Sequence, residues 1–185
     1  MSATSGDKAA ATVFVGVSIE DAFDVFTNEI DLWWRQGRRF RNAGKRPGKI
    51  VFESKLGGRV FETIQLSTGE RMLEVGRVIE WDPPRRVALE WRNVNFKPHE
   101  KTLVEVTFTP QGEGTMVRVE HSGWSAIPAD HPARHGLVAA PFARMIGMWW
   151  GDLLTSLRER VLARSEPRKH EDDDAREEDP HAERE

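Results

Sequence analysis

Cysteine and tyrosine are both missing from this chain of 185 residues. The absence of cysteine excludes disulfide bonds, thiolate nucleophiles and cysteine-ligated metal sites. Because tyrosine is absent, the aromatic part of the core must come from nine phenylalanines and seven tryptophans. A chain without cysteine fits a reducing compartment, and we expect this protein in the cytoplasm.

Long hydrophobic runs are missing as well. No stretch approaches the roughly 18 apolar residues that a membrane-spanning helix needs, and the first eleven residues lack the apolar centre of a signal peptide. We therefore expect no stable insertion into a membrane. The length of 185 residues and the hydrophobic share of 38% predict one domain with one sizeable core.

The net charge of −3 is unevenly distributed along the chain. From Ser165 to Glu185 there are ten acidic and four basic residues, and no apolar residue larger than alanine or proline. Such a segment cannot repay the entropy of ordering, so residues 165–185 are predicted to form an acidic disordered tail. Residues 1–11 are predicted to be a flexible N-terminus, which leaves 12–164 as the domain. That domain is only mildly basic, and nucleic-acid binding is not expected.

Alternation of apolar and polar residues dominates the middle of the chain. Thr12–Val17 is predicted to be a strand, and Ser18 then caps a helical pattern that continues through a second short helix to Trp34. Six further segments alternate with period two and are separated by turn residues. They are Lys49–Ser54, Gly58–Leu66, Arg71–Trp81, Arg85–Asn93, Thr102–Thr109 and Thr115–His121. They predict an antiparallel meander.

The last apolar segment changes its period to that of a helix. Pro141, which is tolerated in a first helical turn, opens a wide apolar stripe that continues to about Arg164. This helix is the natural cover for the apolar face of the meander. The sequence therefore predicts an α+β helix-grip fold, in which a curved antiparallel sheet wraps around a long C-terminal helix. Two short helices follow the first strand.

Four motifs carry a family resemblance. They are Phe26-Thr27 leading to Trp33-Trp34, the segment Leu56–Phe61, the segment Gly76–Pro84, and His121–Trp124. In this order they make the chain resemble the START-like or SRPBCC superfamily. Within it, the chain is similar to the branch of the C-terminal domain of the activator of heat-shock protein 90 ATPase. The resemblance implies the helix-grip fold more firmly than any activity, since one fold hosts many functions.

Side chains for catalysis or metal binding are few. His131 and His135 are four residues apart, but Pro132 lies between them and no glutamate follows the first, so the zinc-protease pattern fails. Serine-hydrolase, phosphate-loop and dinucleotide fingerprints are missing, and no metal or cofactor is expected. His121 is the one candidate for acid–base chemistry, because it continues the inward row of Val117 and Val119.

Tryptophan is concentrated near the short helices and on the long helix. So many indoles predict an apolar cavity between the sheet and the C-terminal helix. The expected ligand-binding residues are Trp33, Trp34, Trp91, Val119, His121, Trp124, Trp149 and Trp150. A basic run lies in the loop beside the expected entrance, where it can attract an anionic head group or an acidic protein surface. It comprises Arg35, Arg38, Arg39, Arg41, Lys45 and Arg46.

Three functions remain open at this stage. The first is non-enzymatic binding of an apolar small molecule or lipid-like ligand. The second, implied by the resemblance, is co-chaperone-like binding to a heat-shock protein 90 homologue. The third is a cyclase-like or hydrolytic enzyme that uses His121 in a dry pocket. The sequence leaves open whether the protein is a monomer or a dimer.

Overall fold

A computed structural model describes residues 7–165, so the predicted tail lies outside the described residues except for Ser165. Its seven strands form one sheet in the order β1-β7-β6-β5-β4-β3-β2, and every neighbouring pair is antiparallel. The strands are β1 Ala9–Val15, β2 Ile50–Phe52, β3 Arg59–Leu66, β4 Gly69–Asp82, β5 Arg86–Trp91, β6 Thr102–Gln111 and β7 Gly114–Ser122. β2 to β7 are joined in sequence order, which is the predicted meander.

Three helices complete the fold. They are α1 Ile19–Asn28, α2 Ile30–Trp33 and α3 Ala139–Ser165, with two 3-10 turns at Trp124–Ala126 and Pro132–Arg134. Ser18 caps α1 as predicted, because its hydroxyl accepts a hydrogen bond from the backbone N–H of Asp21. The helix-grip prediction is confirmed, with a curled sheet around one long helix.

β1 begins earlier than the sequence pattern predicts. Its register pairs Ala9 with His121 and Ala11 with Val119, so residues 9–11 belong to the strand and not to a flexible N-terminus. Alanine carries little apolar signal, but the partner strand β7 extends far enough to hydrogen-bond this segment. Backbone pairing, rather than side-chain pattern, extends the strand.

The core lies between the concave face of the sheet and α3. Alternate residues of β6 and β7, among them Val104, Val106 and Val117, point inward and are fully buried. Near the C-terminus of α3, Arg160 donates to Glu29 at 2.6 Å and Arg164 donates to Asp24 at 2.8 Å. These contacts attach the end of α3 to α1. No helix within residues 7–165 is long and apolar enough to cross a membrane.

Candidate functional site

A cavity of about 720 Å³ opens between the sheet, the first half of α3 and the loop that follows α2. Its aromatic wall consists of five indoles, those of Trp34, Trp91, Trp124, Trp149 and Trp150. α3 contributes to this wall because Ile146, Trp149, Trp150 and Leu153 recur at helical spacing and share one face. Aliphatic side chains from the strands, such as Ile50 and Val75, complete the apolar lining.

Three of the indoles pack against one another. The rings of Trp34 and Trp91 lie 5.8 Å apart with 24° between their planes, and Trp150 meets Trp34 edge-on at 5.7 Å. Trp34 is further fixed because its indole N–H donates to the carbonyl of Phe40 at 2.9 Å. The mutual packing and this hydrogen bond restrict the rotamers of the three indoles, so the cavity has a rigid aromatic side.

Two residues expected at the site do not line the cavity. Trp33 is buried, and its indole N–H points at the carbonyls of Val25 and Phe26, at 3.1 and 3.2 Å. Val119 is completely buried in the main core. Both side chains stabilise the fold next to the cavity, Trp33 by securing the junction of α1 and α2.

The buried His121 has a partner at each ring nitrogen. The indole N–H of Trp150 donates to Nδ1 at 3.2 Å, so Nδ1 carries no proton. Nε2 therefore carries the proton and donates to the hydroxyl of Thr102 at 2.8 Å. That hydroxyl in turn donates to the carbonyl of Trp91 at 3.3 Å. This chain of hydrogen bonds connects α3 with β7, β6 and β5.

The imidazole of His121 is held neutral. Its ring is buried, and burial lowers its pKa to about 3 because the charged form would lose its hydration. With one nitrogen accepting and the other donating, the ring offers neither a free base nor a free acid to a molecule in the cavity. Its position matches the predicted inward row, but its contacts are those of a structural side chain.

The histidines tested as metal ligands point to different partners. His131 accepts from the N–H of Ala133 at Nδ1, and its Nε2 lies 3.3 Å from the carboxylate of Glu100. His135 is exposed and packs its ring edge against Trp149 at 5.5 Å. In the part of the chain that the structure describes, no three metal-ligating side chains of His, Asp or Glu converge.

Two carboxylates hold the loop at the cavity entrance, which we call the mouth loop (residues 35–49). Glu62 is buried, and it accepts the backbone N–H groups of Asn42 and Ala43 and the amide of Asn42. Asp31 accepts from the guanidinium of Arg41 and from the N–H of Ile50, each at 2.9 Å. Neither role was predicted from the sequence. A signal existed for Glu62, which interrupts the inward row of Val60 and Ile64.

Three of the six side chains of the basic run in the mouth loop contact a partner side chain, and the other three, which we call the available cations, form no ion pair with any of residues 7–165. Arg35 donates to the hydroxyl of Ser156, and the buried Arg41 pairs with Asp31. Arg39 pairs with Asp152 at 3.2 Å and lies 5.5 Å from the ring centre of Trp149. The available cations, Arg38, Lys45 and Arg46, line the cavity and are exposed.

The curled antiparallel sheet around the long C-terminal helix α3 is the fold of START-like proteins. The family model described as "Activator of Hsp90 ATPase homolog 1-like protein" matches residues 16–159. The match covers most of the chain, so the protein belongs to this family. No curated protein is significantly similar to it in sequence.

Several solved structures share the fold at low sequence identity. Protein MLL2253 from Mesorhizobium loti is 21% identical, with a TM-score of 0.57 over 86% of this chain and 99% of its own. PFC0360w, an HSP90 activator from Plasmodium falciparum, is 20% identical, with a TM-score of 0.55 over 85% and 97%. The Aha1 dimer from Colwellia psychrerythraea is 15% identical, with a TM-score of 0.55 over 83% and 95%. Identities this low support the fold and not a shared activity.

Proposed function

We propose that the protein binds an apolar small molecule or lipid-like ligand in the cavity between the sheet and α3. The observation that carries this proposal is the wall of five indoles around about 720 Å³ of space. That volume lies within the range of roughly 300–1,000 Å³ that is typical of small-molecule sites.

Packing energetics support this use of the space. Protein interiors are normally close-packed, and side chains that border a void lose their dispersion contacts on that side. Here the half-buried indoles of Trp91 and Trp149 border open space, and the buried rings of Trp34, Trp124 and Trp150 complete the aromatic lining. An apolar ligand would restore those contacts and would remove apolar ring surface from water.

Binding without catalysis is the form that we favour. An enzymatic role for His121 would require one ring nitrogen to exchange a proton with the bound molecule. Both nitrogens already have partners, the indole of Trp150 and the hydroxyl of Thr102. We therefore assign His121 to the architecture of the cavity.

A titration with a neutral aromatic dye tests the proposal. Phenylnaphthylamine should bind saturably and change the tryptophan emission, because five of the seven tryptophans line the cavity. Val75→Phe places a ring in the cavity and should abolish binding, whereas Val51→Phe, at a position that does not line it, should not. Circular dichroism checks that both variants fold. Dye binding that survives Val75→Phe would locate the dye on the surface and contradict the proposal.

A chaperone partner is the second candidate function. The family description and the relative from Plasmodium falciparum, an HSP90 activator, support it. The available cations of the mouth loop offer a surface for an acidic partner. The test is whether this protein stimulates the ATPase of a heat-shock protein 90 homologue. A variant that combines Arg38→Glu, Lys45→Glu and Arg46→Glu should lose that stimulation. An ATPase rate that the wild-type protein leaves unchanged would eliminate this candidate.

A further inference from the structure

The entrance of the cavity has an excess of positive charge. Five cationic side chains line the cavity, and Glu62 is the one acidic residue among the lining residues. We propose that the ligand is an amphipathic anion, with its apolar body among the indoles and its anionic group held at the entrance by Arg38, Lys45 and Arg46. This inference rests on the proposed function and specifies the chemistry of its ligand.

The contacts of the mouth loop identify which of its cationic side chains are free to pair with an anionic ligand. Arg41 is buried against Asp31, and Arg39 is paired with Asp152. The carboxylate of Glu62 accepts three N–H bonds from the loop, and it forms no ion pair with any cation among residues 7–165. Arg38, Lys45 and Arg46 thus lack an acidic partner among the described residues.

Hydrogen bonds fix the backbone of the loop that carries these three cations. Gly44 adopts a left-handed φ of 66°, and successive turns join Gly44 to Arg41 and Arg46 to Ala43 through backbone hydrogen bonds. Glu62 anchors this segment at Asn42 and Ala43, which are themselves lining residues. The charges therefore belong to the rim of the cavity and not to a freely moving segment.

An anionic group fits this rim better than a neutral one. Like charges close together repel one another, and an anion bound between them relieves that repulsion while its apolar part enters the cavity. A neutral ligand would gain from the indoles alone. A single carboxylate, sulfonate or phosphate on a flat or extended apolar body combines the two features, and the three groups share the same recognition chemistry.

Two related dyes separate the contribution of the charge from that of the apolar body. Phenylnaphthylamine is neutral, and anilinonaphthalene sulfonate has the same aromatic body with one sulfonate. The wild-type protein should bind the anionic dye about 10-fold more tightly than the neutral one, since three exposed charge contacts of ordinary strength add up to roughly that factor. Added salt should weaken binding of the anionic dye and leave the neutral dye unchanged.

Charge-neutralising variants test the named residues. The combined variant Arg38→Gln, Lys45→Gln and Arg46→Gln should lose the 10-fold preference and retain the affinity for the neutral dye. The matched control Lys55→Gln, Arg71→Gln and Arg158→Gln removes the same net charge from exposed positions that do not line the cavity. It should keep the preference. Carboxylate and phosphate compounds with one common alkyl chain then show which anion is preferred.

The possible results distinguish this inference from the proposed function. Equal affinities of the two dyes for the wild-type protein would overturn the anionic site and leave the cavity as a site for neutral ligands. An equal loss for both dyes in the loop variant, or the same loss of preference in the control, would also overturn it. If neither dye binds the wild-type protein, the proposed function fails and the anionic site fails with it.

Discussion

Replacing His121 with glutamine should make the free energy of unfolding of the protein depend less on pH below about pH 6.5. In the folded state burial lowers the pKa of this imidazole to about 3, against 6.5 for an ordinary histidine. Below pH 6.5 the unfolded chain therefore takes up a proton at this residue that the folded protein does not bind until about pH 3. Because the unfolded state binds more protons in this window, the free energy of unfolding falls as the pH falls.

The size of this effect follows from the shift. Each pH unit below 6.5 costs about 1.4 kcal/mol, so the wild-type protein should lose about 2 kcal/mol at His121 between pH 7.5 and pH 5. Glutamine has an acceptor for the N–H of Trp150 and a donor for Thr102, but it does not titrate. At pH 7.5 His121→Gln should cost about 1 kcal/mol for imperfect hydrogen bonds, and it should lose less stability than the wild-type protein on acidification.

Urea unfolding at several pH values measures the difference. The readout is the change in unfolding free energy between pH 7.5 and pH 5, compared between the wild-type protein and His121→Gln. The exposed His99 provides a control, since His99→Gln is the same substitution without burial. Stability curves of the wild-type protein and His121→Gln that run parallel down to pH 5 would refute the reasoning, because they would show that this imidazole charges equally well in both states.

Further predictions concern the core, the mouth loop and the tail. Leu157→Ala should cost about 2–5 kcal/mol in denaturant melts, and Leu153→Ala should cost less, because Leu153 lines the cavity and Leu157 does not; equal costs would contradict a void beside Leu153. Glu62→Gln should lower stability by about 1–3 kcal/mol through unsatisfied N–H groups and should weaken dye binding, and calorimetry showing an unchanged melting temperature would contradict the anchoring role. Removal of residues 166–185, predicted from composition to contribute few contacts, should leave the melting temperature nearly unchanged.

Periodicity in the sequence was enough to predict the fold. Strands and helices leave different spacings of apolar residues, and the stripe after Pro141 and the alternation up to His121 are both strong. The start of β1 was missed for a physical reason, because Ala9 to Ala11 are held by backbone pairing that small side chains do not reveal. Local pattern therefore predicts which elements exist better than where they end.

The candidate site was predictable only in part. Residue type and element position brought six of the eight expected residues to the cavity wall. Whether a side chain lines a cavity or fills the core depends on its direction in three dimensions, and Trp33 and Val119 lie in the core next to the cavity. The role of Glu62 could have been inferred from the sequence, because an acidic residue there interrupts an inward row of apolar residues. The hydrogen bond from Ile50 N–H to Asp31 depends on tertiary structure and has no such sequence signal.

The anchoring of the mouth loop has a consequence for the speed of ligand exchange. Because Glu62 holds the backbone of this loop at Asn42 and Ala43, and Asp31 holds Arg41 and the N–H of Ile50, the movable parts of the entrance are its exposed side chains, chiefly those of Arg38, Lys45 and Arg46. Exposed side chains change rotamer within picoseconds to nanoseconds, whereas lids that close over a site move in microseconds to milliseconds. We expect ligand entry without a slow opening step, so that the observed association rate rises linearly with ligand concentration and residence time reflects affinity alone.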